Sequence, residues 1–232
     1  MATRKLVVEG SSVTASQLKD LFRQIEDGSL DSYHIQALLE RRDPFKISID
    51  KDSQLASWHV FLTKIFGIKI DIESLVIPEQ QPGFDRLIVV PKGLTLNKVL
   101  KACRDEFEVT CYTYDLNKFF TVNQRHSTKT YAVWVRERVE ADEELAAKPA
   151  KDLKKEKIPG ITLLERLLYE LKNFAEIGKH LDVDNITLCS GSRGPDESVP
   201  NVSWYVDEQR LCIDWNDHSY QNSNLRSRAV VF

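Results

Sequence analysis

The chain has 232 residues, 42% of them hydrophobic and 29% charged, with 32 Lys and Arg against 35 Asp and Glu for a net charge of -3. That length allows one large domain or two small ones, and the balance excludes a disordered, a collagenous or a basic nucleic-acid-coating chain. No apolar run approaches the roughly 18 residues of a membrane span, and Met1 to Glu9 lacks the apolar core of a signal peptide.

Lys5 to Val8 reads as a short strand. A helix follows over 17–26, capped by Thr14 or Ser16, with Leu18, Leu21, Phe22 and Ile25 at helical spacing. Ser32 opens a second helix carrying Ile35, Leu38 and Leu39, which stops before Asp43-Pro44. Leu55 to Phe66 is helical again, and Gly67 is its stop. Ile68, Ile70 and Ile72 alternate with Lys69 and Asp71, the pattern of a short strand. A strand over 86–91, a helix over 96–107 capped by Thr95 and a strand over 109–114 make a strand–helix–strand unit. Gly93 stands alone in it, without the spacing of a phosphate-cradling loop. The polar stretch 119–130 reads as a linker, which places a domain boundary near residue 126 and divides 1–126 from 127–232.

Tyr131 to Arg136 is a strand, and 137–153 is charge-rich and partly helical, interrupted by Pro149. Thr162 opens a helix from Leu163 to Gly178, with a stripe of Leu164, Leu167, Leu168, Leu171 and Phe174. Glu165 and Glu170 fall on what should be its wet face. Short strands then follow at 185–189, 201–204, 210–215 and 225–232, separated by polar loops. The fold class is α+β: N-terminal helices with the strand–helix–strand unit, then a domain of short antiparallel strands.

Chemistry is sparse. Cys103, Cys111, Cys189 and Cys212 form no C-x-x-C pair and read as reduced thiols of a cytoplasmic protein. His180, Asp182 and Asp184 alternate and could converge on a cation, or simply follow a helix end as a polar turn. Asp214, Asp217 and His218 could serve a hydrolase, although no serine elbow or reactive-cysteine signature accompanies them. A hydrolase or metal-dependent enzyme built on either cluster is therefore the second reading. No cofactor motif is present, and neither half of the chain has the basic excess that nucleic acid demands.

The tail differs. Thirteen of the 25 residues from Asn201 to Leu225 are Asn, Asp, Ser, Tyr or His, the chemistry of adaptable recognition surfaces. The candidate ligand-binding residues are Arg193, Trp204, Tyr205, Asp207, Gln209, Trp215, Asn216, Asp217, His218, Tyr220, Asn222 and Asn224.

Several segments carry a resemblance: Tyr131-Ala-Val-Trp, Gly160-Ile-Thr-Leu-Leu-Glu-Arg-Leu-Leu, Leu188-Cys-Ser-Gly-Ser-Arg193, Val202-Ser-Trp and Ser223-Asn-Leu-Arg-Ser-Arg-Ala-Val-Val231. With the order of elements from Tyr131 onward, they resemble the C-type lectin-like fold, and the ending resembles lectin-like variable proteins of bacterial diversity-generating retroelements. The chain is also similar to a bacterial family to which no activity is attached. Trp215-Asn216-Asp217 matches one calcium signature of sugar-binding lectins, but the other is missing, as is the cysteine pair of formylglycine-generating enzymes. The resemblance implies a non-enzymatic recognition domain over about 128–232 that binds a protein or other macromolecule, with the N-terminal part as an adaptor.

Overall fold

A computed structural model describes residues 14–27, 30 and 50–232. The chain divides into two compact units, 1–49 and 50–232. In the first, α1 (Ala15–Glu26) starts at a capping box: the Thr14 hydroxyl accepts from the Gln17 amide at 3.2 Å, and the Gln17 side chain accepts from the Thr14 amide at 2.9 Å. The strand expected at 5–8 and the helix expected from Ser32 lie outside the described residues.

The second unit opens with α2 (Lys51–Phe66), capped by Asp50 and closed by Gly67 at φ 68°, where a side chain would be strained. It packs on β1 (Arg86–Val90), every residue of which is buried. Gln54 takes the place of a strand partner there, donating to the Asp85 carbonyl at 2.9 Å and accepting from the Leu87 amide at 2.8 Å. The Trp58 indole N–H donates to the Leu87 carbonyl at 2.8 Å. β1 pairs antiparallel with β4 (Tyr131–Val135), Ile88 opposite Val133. No strand forms at 68–72. Ile70 is buried and Ile68 and Ile72 pack on the core, so the alternation records half-burial without an edge to pair with.

Between them, α3 (Leu96–Glu106) leads to β2 (Glu108–Cys111). The strand–helix–strand order is as expected, but its two strands belong to different sheets, because β2 pairs with β8 (Arg210–Asn216) in parallel. α4 (Leu116–Phe119) and β3 (Val122–Asn123) follow, and β3 pairs with β6 (Ser192–Arg193). The expected linker at 119–130 is thus structured, and residue 126 lies inside the second unit. A 3-10 turn over Glu143–Leu145 and α5 (Ala150–Lys155), which begins after Pro149, account for the charge-rich stretch.

The principal sheet has the order β2-β8-β7-β5-β9, with β5 (Ile186–Leu188), β7 (Val199–Tyr205) and β9 (Leu225–Ser227). β7 pairs antiparallel with β8 and β5, but β5–β9 and β2–β8 are parallel, so the sheet is mixed rather than antiparallel. The fold is α+β.

α6 (Leu163–Ile177) runs through the middle, from a second capping box of Thr162 and Glu165 to Gly178 at φ 65°. Its stripe enters the core as expected, but its polar side is buried too. Glu165, Arg166 and Glu170 are fully buried and Lys172 nearly so. The wet face is in fact a set of internal ion pairs. Arg166 donates to Glu170 at 2.7 Å and to Asp182 at 2.9 Å, and Arg228 donates to the other Asp182 oxygen at 2.7 Å. The Thr187 hydroxyl also bonds Asp182, and Arg228 reaches the carbonyls of Arg138 and Val139 at 2.9 and 2.6 Å. Burial alone would raise the Asp182 carboxyl, but Arg228 and Arg166 outweigh it and hold it below the usual range.

Removing one partner of such a network strands the other charges. Asp182→Asn should cost about 3–5 kcal/mol in urea unfolding at neutral pH. The folded-state pKa lies below the unfolded one. The stabilisation is therefore complete above about pH 4, the unfolded aspartate value, and is lost as pH falls through the folded value. The variant should lack that part of the acid limb in a urea series across pH.

Candidate functional site

The tail residues are positioned by the β7–β8 hairpin. Tyr205 pairs with Arg210 at its turn, and Val199 with Asn216 at its open end. Six residue steps separate these ends, about 20 Å at strand rise. The candidate face is therefore two places.

At the turn lie Tyr205, 41% exposed, and the exposed Asp207 and Gln209. Gln209 closes the turn at φ 49°, its side chain donating to the Val206 carbonyl at 2.8 Å. The loop 216–224 leaves the open end at Asn216 and crosses to β9, whose Leu225 pairs with Ile186 level with Ser203 of β7, and side-chain turns fold it on itself. Asp217 accepts from the Ser219 amide at 2.8 Å and from its hydroxyl, and Asn222 accepts from the Asn224 amide at 2.9 Å. The loop is pinned to its surroundings where Lys151 N–H donates to the His218 carbonyl at 3.0 Å and Ile186 N–H to the Asn224 carbonyl at 2.8 Å. Asp217, Tyr220, Asn222 and Asn224 are exposed, while Asn216 and His218 are half-buried. The 194–198 turn adjoins the start of this loop, since it leads into Val199, which pairs with Asn216.

Two residues that sequence reasoning missed complete this end. β2 runs parallel to β8 with Cys111 opposite Ile213, so the chain leaves β2 beside Asp214 to Asn216. Tyr112 is 65% exposed there and Tyr114 fully exposed. Only the long-range pairing of β2 reveals this, and no local signal marks it.

Three candidates are taken up by packing. Arg193 is buried and donates to the carbonyls of Ser190 and Ser192 at 2.7 and 2.8 Å. Trp204 stacks on His180 with centroids 3.3 Å apart, and Phe174 covers the same imidazole at 4.8 Å. Trp215 packs on Phe119 at 4.7 Å.

The two acid–histidine clusters do not assemble. Asp182 is enclosed by two guanidinium groups, Asp184 is exposed, and the His180 Nδ1 contacts Glu170 at 2.8 Å. Among the described residues no group of three or more His, Cys, Asp or Glu side chains is placed to hold a metal ion. Asp214 accepts from the next amide, that of Trp215, at 2.8 Å. His218 Nδ1 lies 3.7 Å from Asp217, beyond hydrogen-bond reach, and the nearby Ser219 hydroxyl is engaged with Asp217. All four thiols are free, and burial raises the pKa of each. Comparison of the chain with protein-family models, curated proteins and solved structures returned no match.

A cleft of about 980 Å³ lies elsewhere and is lined by none of the tail candidates. Its walls come from residues 71–81, Lys92, 124–132 and 231–232. Arg125, in the stretch that reads as linker, holds both Glu165 oxygens at 2.6 and 2.8 Å, and the Tyr131 hydroxyl donates to the same carboxylate at 3.0 Å. Burial would raise Glu165, but Arg125 prevails and holds it low. Burial and then Glu165 push the Tyr131 hydroxyl up. Glu165 reads in the sequence only as part of a wet helix face, and its partner Arg125 is 40 residues away.

A thiol raised by burial is a poor nucleophile. In the native protein at neutral pH, Cys103 and Cys189 should stay unmodified by a disulfide reagent and react fully after unfolding, as read by mass spectrometry of labelled peptides.

Proposed function

We propose that this chain is a non-enzymatic recognition protein that binds a protein or other macromolecule through the loop 216–224 that follows the β7–β8 hairpin. The observation that carries the reading is the exposed loop 216–224, which presents Asp217, Tyr220, Asn222 and Asn224 and leaves β8 at the same end at which β2 runs into the exposed Tyr112 and Tyr114. Tyrosines supply contact area at low entropic cost, and Asn and Asp supply adaptable hydrogen bonds. A rigid sheet holds the loops, the usual arrangement for binding residues. The failure of either acid–histidine cluster to form a relay favours binding over hydrolysis.

The residues point to a polar, non-anionic patch on the partner, because Asp196, Glu197 and Asp217 lie at this end. The lectin-like resemblance of 128–232 agrees with the reading, as do the four free thiols with a reducing, cytoplasmic setting. Among the described residues no helix is long and apolar enough to cross a membrane.

The chain carrying D217A, Y220A and N222A should lose about tenfold or more in affinity for a ligand found by array binding, since central polar and aromatic contacts dominate such interfaces. D207A with Q209A, at the far end of the hairpin, should leave binding unchanged. Equal loss in both variants, or in neither, would place the binding surface elsewhere.

A further inference from the structure

The cleft lined by 71–81 and 124–132 has a charge arrangement that the recognition face does not use. The 71–81 segment contributes only acidic charge, Asp71 and Glu79, whereas Lys92 and Lys129 are contributed from the other segments. All four are exposed, and none has an ion-pair partner among the described residues. Arg125 is already neutralised by Glu165, and the Phe232 ring lies over its guanidinium at 4.8 Å. Apolar surface lies between the charges: Val76 is 85% exposed and Phe232 61% exposed in the same cleft. A volume of this size falls in the usual range of about 300–1,000 Å³ for small-molecule sites.

These features narrow the ligand. A simple anion suits Lys92 and Lys129 but meets Asp71 and Glu79. A simple cation has the reverse problem. A wholly apolar molecule leaves four charges to desolvate without compensation. A molecule with an ammonium at one end, a carboxylate at the other and an apolar body between satisfies every wall. We propose that this cleft is a binding site for a short zwitterionic apolar peptide, its carboxylate toward Lys92 and Lys129 and its ammonium toward Asp71 and Glu79.

The test is calorimetric titration of the full chain with the tripeptide Leu-Phe-Leu in three forms: free ends, acetylated amino end and amidated carboxyl end. The free form should bind, and each cap should weaken binding about fivefold, the worth of an exposed ion pair. In the K92Q and K129Q double variant, amidation should make no further difference. In the D71N and E79Q double variant, acetylation should make none. These side chains are exposed, so the variants keep their fold. Absence of binding by all three peptides overturns the proposal, as do caps without effect or cap effects that persist unchanged in the variants. The D217A, Y220A and N222A variant should bind the free tripeptide as the parent does, so this site and the recognition face stand or fall separately.

Discussion

One carboxylate, that of Asp182, clamped between Arg166 and Arg228, ties α6 to the principal sheet. A charge with no access to water is tolerable only when opposite charges and hydrogen bonds replace its hydration. Here α6, β5 and the segment following β9 each supply one of those partners to the turn after α6, which carries Asp182. The network commits these four pieces of chain to one mutual placement. Hydrophobic contacts alone, being non-directional, would fix it less sharply. It also explains how α6 can lie in the interior of the second unit with charged residues on its polar side.

His180 extends the network outward. Its ring nitrogen contacts Glu170, whose other oxygen is held by Arg166, and its face is covered by Trp204 and Phe174. His180 and Asp182, which suggest metal or acid–base chemistry when read in order, are here tied into structural ion pairs. The exposed polar and aromatic residues of the tail lie on the loops that the sheet carries. The two edges of that sheet differ. β9 is flanked by 142–147, where the Asp142 amide donates to the Ser227 carbonyl at 3.1 Å and the Ala147 amide to the Leu225 carbonyl at 3.0 Å. β2 forms the other edge and ends in exposed tyrosines.

Features legible in the sequence are those whose causes lie within a few residues. Thr14 and Thr162 cap their helices as expected, in boxes that Gln17 and Glu165 complete, and Gly67 and Gly178 stop their helices in the left-handed region. The two strands of the β7–β8 hairpin, though not their pairing, were legible as short strands at 201–204 and 210–215. The isoleucines at 68, 70 and 72 misled because alternation reports burial of one side, not the presence of a neighbouring strand. Glu165 and Glu170 misled because a charged helix face is wet only if nothing covers it, and their Arg and His partners lie between 4 and 40 residues away.

The sequence by itself determined the α+β class, the helix ends and the uneven placement of Asn, Asp, Ser and Tyr in the tail, since propensity, capping and composition act locally. Tertiary structure alone decided that 50–232 is a single unit, that the tail candidates are divided between the β7–β8 turn, the 216–224 crossing and internal packing, and that Tyr112 and Tyr114 follow β2 at the end of β8 where that crossing starts. Those outcomes depend on which strand edges and which buried charges find each other across long stretches of chain. Pairing of that kind is set by the joint satisfaction of hydrogen bonds and charges in three dimensions, and no window of residues contains it.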